Sequence, residues 1–230
     1  MQKNFSQMKK NTVTSKHQLT DSKCVRFYHT DRHGLRILFA GNSITLHGPK
    51  ADIGWDGNWG MAASCPEKDY VHLLMNQVEK SHTDASYCIC HVSDWERGYR
   101  NPDSFWETFL PAQQFDADII ILRLVENCPA DGFHAEAFHK SYSDLVRFLN
   151  PNGRAKLIFT TGFWRHPGDE VIQKTAEEFE SPCVELGDLG EQDEMKAVGL
   201  FWHEGVASHP GDLGMKQIAE RILKELSAFL

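Results

Sequence analysis

Four residues suited to acyl transfer are spread along this chain, each where a strand should end or a helix begin. Ser43 stands in Gly41-Asn42-Ser43-Ile44-Thr45, directly after the apolar run Ile37-Leu38-Phe39-Ala40. A serine hydroxyl becomes a good nucleophile once a base takes its proton, and histidine is the side chain tuned for that near neutral pH. His209 is the candidate base, in Ser208-His209-Pro210-Gly211-Asp212 ahead of a helical stretch at 213–226. Asn127 follows the run Ile119 to Leu124 through Val125-Glu126, which puts an amide at another strand end. Gly98 follows the apolar stretch 85–92. A Gly-x-Ser alone is most often a turn. The chemistry is suggested by its combination with the other three.

Rigid elements must bring these positions together. Strands are expected at 36–41, 86–92, 117–124 and 155–161, with a short one at 182–186. Helices are expected at 67–80, 103–110, 134–149 and 169–179 and at the C-terminus, with Asn150-Pro151-Asn152-Gly153 as a turn ahead of the fourth strand. Such alternation predicts a three-layer α/β/α sandwich around a mostly parallel sheet of about five strands. In that architecture the ligand crevice lies beyond the carboxyl ends of the strands, where Ser43, Gly98 and Asn127 fall.

The order serine, glycine, asparagine, histidine resembles the SGNH, or GDSL-type, hydrolases over roughly Arg36 to Leu226. Gly41-Asn42-Ser43 matches the serine motif with Asn42 in place of the more common aspartate, and His209-Pro210 matches the histidine motif. Glu126-Asn127 stands where a Gly-x-Asn-Asp pattern is usual, and Glu96-Arg97-Gly98-Tyr99 supplies only a position after the second strand. The family usually carries an aspartate three residues before the histidine, whereas this chain has Val206.

The resemblance implies a flavodoxin-like sheet and a serine esterase or acylhydrolase. In that scheme His209 takes the proton of Ser43, and the oxyanion rests on the backbone N–H groups of Ser43 and Gly98 and on the Asn127 amide. For the third member, Glu204 is the nearest upstream carboxylate, and a backbone carbonyl near Val206 is the alternative, leaving a Ser-His dyad. Asp212 reads better as the cap of the last helix.

Trp55 and Trp59, in Gly54-Trp55-Asp56-Gly57-Asn58-Trp59-Gly60, and Trp95 and Trp202 near other motif loops are candidates for an aromatic rim that binds substrate. They favour a small acyl group on a carbohydrate. His47, His203 and His209 with Asp52 or Glu204 would make a metallohydrolase, but no His-x-x-x-His spacing supports it, and neither metal nor cofactor is expected. A third reading is an inactive, carbohydrate-binding or interaction descendant of the fold. Arg123, inside an apolar strand, needs a carboxylate partner, either Glu126 or Asp94.

At 230 residues and 41% hydrophobic content the chain is read as a polar tail or edge-packing arm over 1–35 and one hydrolase domain over 36–230. The tail carries seven basic residues, among them Lys9, Lys10 and Arg26, but not the apolar core of a secretory signal, so a cytoplasmic location is expected, or a secreted or periplasmic one where a signal has been trimmed. A net charge of -8 argues against nucleic acid as a partner, and no stretch is apolar enough to span a membrane. Six cysteines without a Cys-x-x-Cys pair point to neither a disulfide scaffold nor structural zinc, and Cys128 reads as a buried thiol.

Overall fold

A computed structural model describes residues 22–230. Its sheet has the strand order β1-β3-β2-β4-β5-β6, built from β1 (Val25–Tyr28), β2 (Arg36–Gly41), β3 (Ser86–His91), β4 (Ile119–Arg123), β5 (Lys156–Thr160) and β6 (Cys183–Val184). All neighbours are parallel except β1, which pairs antiparallel with β3 at the edge. The central five strands fall where the apolar runs placed them. The sixth was not expected, because β1 is four residues long and lies in the stretch read as a tail. Residues 25–28 of that stretch are an edge strand, while residues 1–21 lie outside the described residues.

The strand runs are apolar on both faces, and the two-residue period of a strand divides them between two cores. Leu38, Ala40, Cys88, Cys90, Ile120, Leu122 and Phe159 face one side. There they meet Trp95 of α2 (Ser93–Gly98), Phe109 of α3 (Trp106–Gln114), Tyr142 of α4 (Ala135–Leu149) and Ile172 of α5 (Asp169–Glu178). On the other side, Ile37, Phe39, Tyr87, Ile89, Ile121 and Ile158 pack against α1 (Tyr70–Val78) and the C-terminal helix α7 (Asp212–Leu226). Each such aliphatic side chain contributes about 1.5–3 kcal/mol on full burial. With both faces covered, the carboxyl edge of the sheet is left for chemistry.

β2 is central, with β3 on one side and β4 on the other, so the chain reverses its winding direction beside it. Loops leaving β2 and β4 therefore splay apart at one point, and Ser43 and Asn127 are on those loops. A small third cluster of Trp55, Met61, Ala62, Ala197 and Val206 packs beneath the loops at this edge. It supports α6 (Glu204–Ala207), the short helix that leads to His209.

Candidate active site

β2 ends in Gly41, where a Cβ would collide with Thr45 and approach the Arg123 carbonyl to 2.8 Å. Only glycine allows β2 and β4 to close together here. The next residues wind into a single turn as the Asn42 carbonyl accepts from Thr45 N at 2.9 Å and Leu46 N at 3.0 Å. Ser43 rides on that turn, partly exposed between buried Asn42 and Ile44. Among the described residues its N–H has no acceptor, while its carbonyl accepts from Met61 N at 2.8 Å.

Far along the chain, α6 and the turn after it present His209. His209 N donates to the Val206 carbonyl at 3.0 Å, and the His209 carbonyl accepts from Ala197 N at 2.9 Å. The imidazole Nε2 lies 2.8 Å from Ser43 Oγ, and Nδ1 lies 2.6 Å from the carbonyl oxygen of Gly205. A carbonyl can only accept, so Nδ1 carries the hydrogen and Nε2 is left with a lone pair facing the serine hydroxyl. The edge of the ring meets Trp164, with centroids 5.3 Å apart and planes at 83°. Burial lowers the His209 pKa to about 4, although the Gly205 carbonyl and the charge of Glu126 pull upward.

The acceptor for Nδ1 is thus the backbone of Gly205. Glu204, the carboxylate candidate, is exposed on the first residue of α6 and is not that acceptor. Val206 is fully buried in the apolar cluster with Trp55 and Met61, which is no place for the family's aspartate. Asp212 is the first residue of α7 with Gly211 as the cap, and its carboxylate binds Ser64 N at 2.8 Å and Ser64 Oγ at 2.7 Å. It ties the start of α7 to the segment after Ser43 instead of capping the helix.

Beneath the serine turn lies a buried polar network. Asn42 Nδ2 donates to Glu96 Oε1 at 2.9 Å and to Glu126 Oε2 at 2.5 Å, while Asn42 Oδ1 accepts from Arg123 Nη2 at 3.1 Å. Arg123, fully buried, also donates to Glu126 Oε1 at 2.5 Å, so Glu126 is its partner and Asp94 pairs with Arg97 instead. Asn42 is explained by these contacts. An aspartate here would be a third buried carboxylate beside one guanidinium, whereas the amide donates to both acids. Burial alone would raise Glu126, but the adjacent Arg123 and the Phe163 amide bring it below the ordinary carboxylate value. Glu96 is pushed up to about 7 by burial and by the charge of Glu126, against the hydrogen bonds from Asn42, Asn127 and Val125.

Asn127 reaches this network from the loop after β4. Its Nδ2 donates to Glu96 Oε2 at 2.7 Å, and its Oδ1 accepts from Arg97 Nη2 at 2.9 Å. Val125, just before, holds φ at +145°, a value that L side chains avoid, and its N–H is gripped by Glu96 Oε1 at 2.6 Å. Such strain costs about 1–3 kcal/mol and persists only where surrounding contacts over-determine it.

Gly98 lies in a helix and not in a loop. It ends α2, where backbone N–H groups are taken up within the helix. It lines a cavity of about 350 Å³ with Arg97, Arg100, Phe105 and Pro129. Of the four tryptophans proposed as a rim, Trp95 is fully buried against Phe138 and Tyr142, and Trp55 is buried with its Nε1–H on the His47 carbonyl at 3.1 Å. Trp59 is half-buried and donates to the Ala63 carbonyl at 2.8 Å, which leaves Trp202, 73% exposed over Gly54, as the open one. His203 caps α6 by accepting from Val206 N at 3.3 Å, and His47 Nδ1 is 2.6 Å from its neighbour's carbonyl at Gly48. Asp52 faces Lys50 at 3.8 Å. Among the described residues no group of three or more His, Cys, Asp or Glu side chains is arranged to hold a metal. Cys128 is buried, and that burial pushes its thiol far up, which favours the unreactive protonated form.

Sequence reasoning missed Trp164, Glu96 and Arg97. Trp164 gave no signal, since only the fold sets it against His209. Glu96 was in principle detectable, because a buried Arg123 demands acids and Glu96-Arg97 sits at a strand-to-helix junction.

No family model and no curated protein matches the sequence. Solved structures do match. A two-domain esterase active on acetylated mannans, crystallised with mannopentaose, aligns with a TM-score of 0.56 and 16% identity over 85% of this chain and 50% of its own. This chain thus spans about half the length of that protein. A lipase/acylhydrolase from Enterococcus faecalis aligns with a TM-score of 0.57 and 11% identity over 85% of this chain and 97% of its own. An acetyl xylan esterase gives 0.53 and 15% over 83% and 98%. With its six-stranded, mostly parallel sheet flanked by helices and these structural neighbours, the chain has the fold of the SGNH, or GDSL-type, hydrolases.

Proposed function

We propose that this protein is a serine ester hydrolase that removes a small acyl group, with a carbohydrate as the alcohol half. The observation that carries the reading is the 2.8 Å contact between Ser43 Oγ and His209 Nε2, with Nδ1 fixed on the Gly205 carbonyl. In this scheme Ser43 Oγ bonds to the ester carbonyl carbon as its proton passes to His209 Nε2. The negative charge that develops on the carbonyl oxygen falls to the unengaged Ser43 N–H and the Asn127 amide. The tetrahedral adduct then breaks its bond to the alcohol oxygen, which takes the proton from His209. Water repeats the sequence on the acyl-enzyme and releases the acid. Catalysis by a Ser-His pair without a carboxylate is consistent with the carbonyl of Gly205 holding the needed tautomer.

The carbohydrate preference is supported by Trp202, an exposed indole suited to stacking on a sugar face, and by two structural neighbours described as acting on acetylated mannans or acetyl xylan. A fluorophosphonate probe tests the core of the reading. Wild type is expected to be labelled at Ser43 and to cleave nitrophenyl acetate faster than the long-chain ester, with both activities gone in Ser43→Ala. Absence of labelling in a folded wild-type protein would overturn it and favour a non-catalytic binding role.

A further inference from the structure

The Asn127 amide is held from both sides by charged partners on one turn of α2. Its Nδ2 faces the Glu96 carboxylate at 2.7 Å and its Oδ1 faces the Arg97 guanidinium at 2.9 Å. A carboxylate only accepts and a guanidinium only donates, so the amide has a single allowed orientation. One of its two N–H bonds goes to Glu96. The other goes to Ser93 Oγ at 3.5 Å, the longest bond the amide makes and so the one most readily exchanged for another acceptor. Glu96 also grips Asn42, the residue before Ser43, and the strained Val125 ahead of Asn127.

We infer that Glu96 and Arg97 are positioning residues that lock Asn127 as a one-sided donor toward the reacting oxygen and, through Glu96, tie that donor to the serine turn. The inference rests on the esterase reading for its purpose, though the clamp itself is a statement about the free protein. Glutamine at position 96 breaks the pattern by simple atom matching. One of its ends must be NH2, which faces either the Asn127 NH2 or the Asn42 and Val125 donors. Turning the Asn127 amide over does not help, because its NH2 would then meet Arg97.

Protonation of Glu96 has the same effect in milder form, placing an O–H among three donors. Glu96 is faced by the Glu126 carboxylate, itself paired with Arg123, by the Cys128 thiol from the same loop and by the Tyr142 hydroxyl from α4, with Arg97 next to it on α2. The clamp is therefore complete only when Glu96 is ionised.

Steady-state kinetics on nitrophenyl acetate at alkaline pH test this with Glu96→Gln, Arg97→Ala and Arg97→Lys, each with and without Asn127→Ala. Glu96→Gln is expected to lower kcat about a hundred-fold, the size of losing one oxyanion donor, with KM little changed. Arg97→Ala, at an exposed side chain that folding tolerates, is expected to lower kcat by about ten-fold, with Arg97→Lys restoring most of it. Both effects should vanish in the Asn127→Ala background. Equal losses with and without Asn127 would overturn the inference. Selective 15N-asparagine labelling reads the clamp without turnover: the Asn127 side-chain protons should exchange slowly and speed up in Glu96→Gln and Arg97→Ala. Unchanged exchange in both variants would also overturn it, whereas intact exchange behaviour in an enzyme that hydrolyses nothing would remove the esterase reading and leave the clamp.

Discussion

In the proposed scheme His209 is an unusual base because its Nδ1–H meets a neutral carbonyl. A carboxylate in that position would stabilise the imidazolium, but Gly205 offers only a dipole, and burial keeps the pKa at about 4. Nε2 is then unprotonated across neutral pH, always ready to accept, but with a weaker pull on the serine proton. The acid limb that His209 imposes on kcat/KM is expected at about pH 4, with no inflection near the ordinary histidine value of 6.5. A limb near pH 7 in wild type would belong to Glu96 and should disappear in Glu96→Gln. Measuring kcat/KM against pH for both proteins decides this, and an inflection near 6.5 that survives Glu96→Gln contradicts the assignment. Ser43, His209 and Asn127 were legible as residues because each has a distinctive type at a strand end or helix start. The orienting atom was not, since any residue has a carbonyl and no side chain advertises it.

At the level of elements, the proposed scheme gives α6 the work that a triad aspartate does elsewhere. It is four residues long, capped by His203, and it aims one carbonyl at His209 while Val206 anchors it in apolar packing. Val206→Asp is therefore expected to fail as a restoration of the family's triad. The new carboxylate would replace a side chain sealed beside Trp55, Met61, Ala62 and Ala197, leaving a buried charge without a partner. A loss of about 3–5 kcal/mol in urea unfolding is expected, with no gain in kcat. Raised activity at unchanged stability would refute this. The short elements α2 and α6 went unforeseen, as did β1, because four to six residues carry too little periodicity to read. Gly98 was assigned to a loop for the same reason: with α2 unseen, nothing marked it as the last residue of a helix.

On the scale of the molecule, the site is maintained by burying groups that prefer water. Burial and the charge of His47 lower His91 to about 4, the same value as His209. A histidine depressed in the fold takes up its proton more readily when unfolded, so its contribution is present above pH 6.5 and is lost as pH falls toward 4. Glu96 acts in the opposite sense. Its raised folded value means that unfolding releases a proton between its ordinary 4.5 and about 7, so stability there declines as pH rises. Two histidines outweigh one glutamate, and the melting temperature is expected to fall as pH drops from 6.5 to 4, less steeply in His91→Gln. A melting temperature that is flat or rising over that interval would show that these groups are not buried neutral. Among the described residues, no helix is long and apolar enough to cross a membrane.

By itself the sequence determined the layered architecture and the strand ends at which serine and asparagine stand, because apolar runs of strand length interrupted by helical periods admit few other packings. It also named Arg123 as a buried cation in need of an acid. Only the tertiary structure decided that the acid is Glu126, that Val206 lies in a sealed apolar cluster, that Trp95 belongs to the core and Trp164 to the histidine, and that Glu96 and Arg97 grip Asn127 from opposite sides. Those outcomes depend on contacts between residues tens of positions apart, whose partners and directions are set by how strands register and helices pack rather than by any local pattern.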